Sequence, residues 1–297
     1  MKRKSQPKFL RTLTHVEQVA LEHELRVAIR KWGGLGWAFI GRPPHMRAVI
    51  LVERKLANPK HRARSIRLPK SLGGGSLNVA VRALHRDIQT SERTAGSSLP
   101  SGAGISYLAP GVPVAAAGER VGIGAVVSVD QQPHFITCGH APSPDLSTLD
   151  GQVQIATLRE NYFAAADHVD AAVYEATTEG IALMAQGASV ASWCDGFHEP
   201  AAGDNTHDAT FWPTWTNGLP DFVEDVVSYS TSVPGMGAGF VMLSRCTNIG
   251  DSGSSLQFAG DYYAIASQRD GNCSYFTPIT TVIEKLETGA IVAPWRP

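Results

Sequence analysis

Cys246-Thr-Asn-Ile-Gly-Asp-Ser-Gly-Ser-Ser-Leu256 sets Ser252 after an aspartate and between glycines, in a run with little reason to be helix or strand. Taken alone, Gly-Asp-Ser-Gly describes a turn, because each of these residues suits one. A serine hydroxyl becomes a nucleophile only when a base lies within hydrogen-bond reach and a third group orients that base. What Ser252 can do therefore depends on the histidines and carboxylates that the rest of the chain can bring to it.

Chain order narrows the choice. The G-x-S-x-G elbow of the α/β-hydrolases is followed by its acid and then its histidine. Here Ser254 stands where the last glycine would be, and the final histidine of the chain is His207, so no base follows Ser252. The order His, Asp, Ser belongs to a double β-barrel instead. His140 lies in PHFITCGHA, directly after an apolar strand-like run, and Asp170 lies in HVDAAVYE, ahead of another.

Four islands in that order resemble the chymotrypsin- or trypsin-like serine peptidases, most closely their bacterial branch of streptogrisin and α-lytic types. FITCGHA is similar to the family's FLTAGHC, VDAAVY to its D-x-A-V/L strand, and CTNIGDSGSSL to the bacterial C-x-x-x-G-D-S-G-G-S/P. SQRDGNCSYFTPI is similar to the bacterial segment that ends in GNC, an aromatic residue and proline. The resemblance covers about residues 105 to 290. It implies a serine endopeptidase that works through an acyl-enzyme, with His140 as general base, Asp170 holding the imidazole and Ser252 as nucleophile.

It also implies an oxyanion hole from the N–H groups of Gly250 and Ser252, and a substrate-binding strand carrying Ser267, Gln268 and Arg269. Arg269 could pair with an acidic substrate side chain or partly close the cleft. The family buries the carboxylate equivalent to Asp251, which needs a partner; Arg120, Arg159 and Arg245 are the candidates. Ser254 replaces a family glycine and could restrict the backbone there. Cys138 and Ala141 replace the residues that flank the family histidine, so the disulfide beside it is expected to be absent. Cys246 and Cys273 match a bridged pair that a reducing compartment could leave as thiols.

At 297 residues with 43% hydrophobic and 18% charged residues, the chain can form a sizeable core. No apolar window approaches eighteen residues, and the basic start MKRKSQPKFLRTL runs into polar THVEQ. Neither a membrane span nor a secretory signal is visible, and a cytoplasmic location is the expectation. Four cysteines are too few for a disulfide scaffold at this length. Neither a cofactor nor a metal is called for: His198, His207 and Asp208 lack ligand spacing and read as a solvated loop. His134 reads as a surface strand residue and His168 as structural. The tryptophans of FWPTWTNG read as loop packing, with a stacking surface as the minor alternative.

The net charge of −1 hides an asymmetry: residues 1–100 carry 20 Lys/Arg against 6 Asp/Glu, and residues 101–297 carry 6 against 21. Two units with different surfaces are implied. The basic part either docks on the acidic part or is solvated; a nucleic-acid partner lacks a recognition motif or interleaved aromatics.

In the first unit, Thr14 and Glu17 have capping-box spacing, and an apolar face predicts a helix over about Thr14–Trp32, stopped by Gly33-Gly34. GWAFIG and MRAVILVERK flank Arg42-Pro43-Pro44 and predict a hairpin, and SLNVAVRAL could add a strand. Residues 1–87 are expected to form a small basic α+β domain, 88–104 a Ser/Gly/Thr/Pro-rich linker, and 105–297 the peptidase domain. In that last part, short apolar segments including GIGAVVSV, HFITCG, GQVQIATL, GASVASW and DYYAIAS predict a mainly β sandwich or barrel with one helix only at about Ile279–Leu286.

The first unit resembles a module that precedes the peptidase domain in some bacterial and plant trypsin-like proteins. Bacterial proteins of this kind are often encoded beside defence effectors. The resemblance implies an attached regulatory or docking domain and cleavage of a specific partner protein; because a cytoplasmic protease with broad access to its own cell's proteins would be hazardous, activity is expected to be restricted by a partner, by oligomerisation, or by cleavage in the linker. The competing reading is an inactive trypsin-fold binding or scaffold protein.

Overall fold

The computed structural model describes residues 24, 27–28, 31, 34–40, 47–53, 63–67, 76–84, 89–90, 106–163, 169–200, 209–216, 220–222, 226–230, 240–243, 247–248, 250–269, 274–286 and 290–297. The predicted N-terminal helix lies mostly outside them; Glu24, Val27, Ala28 and Lys31 within it are helical. Four strands follow: β1 (Gly34–Ile40), β2 (Arg47–Glu53), β3 (Ala63–Arg67) and β4 (Ser76–Leu84), in the order β1-β2-β4-β3. β1 and β2 pair antiparallel, as the hairpin reading requires, and SLNVAVRAL is β4. β2 and β4 run parallel, with β3 antiparallel on the far side of β4.

β5 (Gln89–Thr90) falls within the stretch expected to be a linker. Beyond it, β6 (Pro113–Ala116), β7 (Glu119–Gly122), β8 (Ala125–Val129), β9 (Gln132–Thr137), β10 (Asp145–Ser147), β11 (Gln154–Asn161) and β12 (Ala172–Ala176) join one antiparallel sheet. Its order is β20-β8-β9-β12-β11-β10-β6-β7, with β20 (Val292–Pro294) returning from the far end of the chain. Only Ile123 and Gly124 connect β7 to β8, so strands near opposite ends of the order are drawn together and the sheet curls on itself. The second sheet runs β14-β13-β17-β18-β19-β16-β15 and comprises β13 (Ala209–Trp212), β14 (Asp221–Phe222), β15 (Val226–Ser230), β16 (Phe240–Leu243), β17 (Ser255–Phe258), β18 (Asp261–Arg269) and β19 (Ser274–Pro278). The fold is the expected double-barrel, mainly β architecture with a small α+β unit ahead of it.

Strand periodicity explains how one barrel has both an interior and a partner face. On β8, β9 and β12 the residues Val126, Phe135 and Tyr174 point into the first barrel with Val114, Ile155 and Met184. Their neighbours Ala125, Val127, Ile136 and Val173 point the other way and pack on Tyr262, Ile265, Ile279, Val282 and Ile283 of the second half. The strands are buried on both faces and so read as near-continuous apolar runs rather than alternating ones. Full burial of a side chain such as Phe135 contributes about 1.5–3 kcal/mol. The second barrel has its own cluster around Phe211, Leu256, Tyr263 and Phe276.

Two expectations need correction. GASVASW, residues 187–193, forms turns rather than a strand. Before it lies an unexpected helix, α1 (Thr178–Gln186), whereas after residue 105 only the C-terminal helix α2 (Ile279–Leu286) was expected. The Thr177 hydroxyl accepts from the Gly180 N–H at 3.1 Å, Glu179 sits in the first turn, and Gly187 closes the helix. The segment hid its nature because only Gly180 and Met184 are buried, too few for a helical stripe. No helix among the described residues is long and apolar enough to cross a membrane.

Gly180 gives a test against propensity. Alanine is favoured over glycine in a helix interior by about 0.8–1 kcal/mol, yet a Cβ at Gly180 would overlap the Ile155 carbonyl oxygen on β11. Gly180→Ala is expected to lower stability by about 1–3 kcal/mol through overpacking, read as a lower urea midpoint. A midpoint equal to or above wild type would mean that α1 does not rest on β11.

Candidate active site

The end of β9 carries Thr137 into Cys138, Gly139 and His140, and the backbone there closes around a carboxylate. Asp170 is 1% exposed, and its Oδ1 accepts from the N–H groups of Gly139 at 2.8 Å and His140 at 2.9 Å. Its Oδ2 faces His140 Nδ1 at 2.7 Å and also accepts from the Ser267 hydroxyl. Gly139 has no substitute: a Cβ there would lie 2.7 Å from both the Ala171 carbonyl oxygen and Phe163 Cβ. Asn161 fixes the same corner, donating to the Gly139 carbonyl at 2.9 Å and accepting from the Phe163 N–H.

On its other side, His140 Nε2 lies 3.0 Å from Ser252 Oγ. The carboxylate accepts from Nδ1–H, which leaves Nε2 as the acceptor for the serine hydroxyl. Burial alone would raise the Asp170 carboxyl, but the His140 charge and hydrogen bonds from His140, Ser267 and Gly139 hold it below the ordinary carboxylate range. Burial likewise disfavours the charged imidazole; the neighbouring Cys138 and Asp170 outweigh it, so His140 titrates above its ordinary value of 6.5. An oriented base that gains affinity for a proton can deprotonate the hydroxyl beside it.

The loop that carries Ser252 is held at four points. Asp251 N–H donates to Asn248 C=O, Ser254 N–H to Asp251 C=O, Gly253 N–H to Ala266 C=O, and Gly122 N–H to Ser252 C=O. Gly253 has φ +80°, and a Cβ there would overlap Thr137 Oγ1, so both conformation and space demand glycine. Gly250, at φ +87°, turns the chain ahead of the serine. Among the described residues, neither the Gly250 N–H nor the Ser252 N–H donates to a protein acceptor. The two amides are thus available to a bound oxygen.

Asp251 is 1% exposed, and its partners can now be named. Oδ1 accepts from the Thr214 N–H and the Thr214 hydroxyl, each at 3.0 Å, and Oδ2 accepts from the Asn248 N–H at 2.8 Å. Burial raises its carboxyl, with these hydrogen bonds and the Arg120 charge opposing. Of the three candidate arginines, Arg120 is the one beside it, donating through Nη2 to the Thr214 carbonyl. Arg159 instead donates to His134 Nε2 at 3.0 Å, and Arg245 lies outside the described residues. Thr214, in the 3-10 turn Thr214–Thr216, escaped sequence reading because a threonine in FWPTWTNG carries no motif. Of that segment's tryptophans, Trp212 is buried and Trp215 is 49% exposed.

Ser254, the expected source of backbone restriction, is fully buried with an ordinary negative φ. It fits because Gly122 faces it; a Cβ on Gly122 would lie 2.6 Å from Ser254 Oγ. His134 is a correction: it is 1% exposed, with Nδ1 2.8 Å from the Gln132 carbonyl, rather than on the surface. The Arg159 guanidinium reaches Nε2 because that nitrogen is unprotonated, and burial lowers the imidazole's pKa. His198 stacks on Phe258 at 4.5 Å, while His168, His207 and Asp208 lie outside the described residues. No group of three or more metal-binding side chains occurs among the described residues.

Ser267, Gln268 and Arg269 all lie on β18, whose course past Ala266 runs beside the Ser252 loop. Gln268 is buried, and nothing is described of the Arg269 side chain. Cys138 and Cys194 are buried free thiols; Cys246 and Cys273 lie outside the described residues.

Removing the Arg120 charge is expected to leave Asp251 undercompensated. Arg120→Met should cost about 1–3 kcal/mol near neutral pH. The loss of a cation raises the folded-state Asp251 pKa further, so the deficit grows as pH rises through the carboxylate range and is small near about pH 4. Urea midpoints at both pH values test this; a deficit that is larger in acid would overturn the assignment.

No protein-family model matches the chain, and no curated protein matches it. Among solved structures, the fold is similar to Thermobifida fusca protease A, with 18% identity over 63% of this chain and 98% of that one and a TM-score of 0.43. It is also similar to Nocardiopsis protease, with 12% identity over 62% and 97% and a TM-score of 0.42. A third likeness is to Cellulomonas bogoriensis chymotrypsin, with 17% identity over 63% and 98% and a TM-score of 0.41.

Proposed function

We propose that this protein is a serine endopeptidase with Ser252 as nucleophile, His140 as general base and Asp170 as the group that orients and stabilises the imidazole. One observation carries the reading: the continuous line from Asp170 Oδ2 through His140 to Ser252 Oγ, with spacings of 2.7 and 3.0 Å. Ser252 Oγ attacks the scissile carbonyl carbon while His140 Nε2 takes the hydroxyl proton. The oxygen becomes an oxyanion, received by the N–H groups of Gly250 and Ser252. Collapse of this intermediate breaks the C–N bond, and the proton passes from His140 to the leaving amine. A water then gives its proton to His140 and attacks the ester carbon, releasing the acid and restoring Ser252.

In this reading Ser267 does two things. Its hydroxyl adds a fourth hydrogen bond to the Asp170 carboxylate, and its place on β18, with Gln268 and Arg269, puts it in the strand that binds substrate backbone. The basic 1–87 unit is a regulatory or docking domain, 88–104 the connection, and 105–297 the peptidase domain. The buried free thiols Cys138 and Cys194 accord with a reducing compartment such as the cytoplasm. A peptidase with free access to its own cell's proteins would be hazardous, which favours one specific protein substrate, regulated activity and a place in a bacterial defence system. A peptide-library cleavage profile beside Ser252→Ala would identify the substrate class.

Two outcomes are expected with a serine-reactive fluorophosphonate. Wild type is labelled and Ser252→Ala is not; absence of label on folded wild type would sink the reading. Because His140 acts only when neutral and its pKa is raised, the labelling rate should climb with pH through a midpoint above 6.5. Asp170→Asn should lower that midpoint and slow labelling by up to about 10⁴-fold. A midpoint below 6.5 in wild type would remove Asp170 from the role given to it.

A further inference from the structure

β18 changes partner along its length. From Asp261 to Ile265 it pairs with β17 on one edge and, from Ala264 onward, with β19 on the other. At Ala266 the first edge closes on the nucleophile loop: Ala266 N–H donates to Ser254 C=O, and Ala266 C=O accepts from Gly253 N–H. A bulge between Ala266 and Gln268 follows, after which Gln268 and Arg269 continue along β19. A strand has two edges. The one left at Gln268 and Arg269, continuous with Ser252, is taken by β5, with Thr90 opposite Gln268 and Gln89 opposite Arg269.

A strand edge beside a nucleophile is where an extended peptide is bound through main-chain hydrogen bonds. The direction of β5 is the informative detail. It is antiparallel to β18, so the chain from Gln89 to Thr90 advances from Arg269 toward Ser267, whose hydroxyl lies on Asp170. A peptide of that polarity brings its carbonyl carbons toward Ser252 from the N-terminal side, which is the direction of the acyl half of a substrate.

We propose that Gln89–Thr90 is an intramolecular occupant of the acyl-side peptide subsite, so that extended substrates must displace the chain's own connecting segment before they reach Ser252. This rests on the serine endopeptidase reading. The pairing spans only two residues, but a tethered segment competes at a high effective concentration. The occlusion is therefore effective and still reversible, and any partner that draws residues 1–87 away from the barrels would relieve it.

The test uses the full chain. The double variant Gln89→Pro/Thr90→Pro removes both N–H groups and disfavours strand pairing, while Gln89→Ala/Thr90→Val keeps both. Two readouts are taken: hydrogen exchange of whichever of the successive Gln268 and Arg269 amides faces β5, since the other faces β19, and the rates at which Ser252 is labelled by a small fluorophosphonate and by pooled tetrapeptidyl diphenyl phosphonates. In the proline variant the amide that faces β5 should exchange about tenfold faster and the peptidyl probes label about tenfold faster, while the small probe changes by less than about twofold. The Ala/Val variant should match wild type. Wild-type exchange and a wild-type ratio of the two labelling rates in the proline variant would overturn the proposal. Failure of both probes to label any of the proteins would instead remove the peptidase reading, and exchange of the amide that faces β5 would still decide whether β5 holds the edge.

Discussion

A buried carboxylate organises this molecule. Asp170 is withdrawn from water between the two barrels, and an isolated charge there would be expensive enough to neutralise itself or unfold its surroundings. Four donors prevent this: the N–H groups of Gly139 and His140, the His140 ring and the Ser267 hydroxyl. Two come from the turn after β9, one from the imidazole, and one from β18 in the second barrel. Satisfying one charge thus fixes the turn, the ring orientation and the approach of the second barrel together. The Thr277 hydroxyl, donating to the Asp170 main-chain carbonyl at 3.2 Å, adds a second tie from β19.

A similar arrangement recurs on a smaller scale one residue before Ser252. Asp251 is equally buried, but its donors are two main-chain amides and one threonine hydroxyl, with Arg120 contributing charge nearby. The two aspartates differ accordingly. The one bonded to an ionisable partner is pulled below its ordinary pKa, and the one held mainly by neutral donors is pushed above it. The first suits a group that must stay charged while its neighbour gains and loses a proton. The second suits a group whose work is to hold a loop in shape.

Much of this was legible in the sequence because chemistry leaves residue types in a fixed order. His140, Asp170 and Ser252 could be read together since no histidine follows the Gly-Asp-Ser-Gly and His140 alone stands in a run like FITCGHA. The strands were legible where burial on both faces made them continuous apolar runs, as in β8 and β18. Partners that act through the main chain or through unremarkable side chains were not. Thr214 looks like any loop residue, and Arg120 was one of three equal candidates until β7 brought it alongside Gly250. Helix α1 was missed because it buries only two residues, one of them a glycine, and so presents no apolar stripe. β5 could not be read from Gln-Thr: its conformation comes from the edge it lies on, a tertiary cause that no local pattern encodes.

Gly122 and Gly253 place two backbones in contact where most domain interfaces would have side chains. The Gly122 amide donates to the Ser252 carbonyl, and its own carbonyl accepts from Thr137 beside His140. The strand end that carries His140 and the loop that carries Ser252 are therefore tied to the N–H and C=O of one glycine residue. Side-chain packing can absorb a small slide of one layer over another by changing rotamers; a peptide-on-peptide seam cannot. The alignment of the hydroxyl with the imidazole is thus coupled, at this glycine, to the docking of the two barrels.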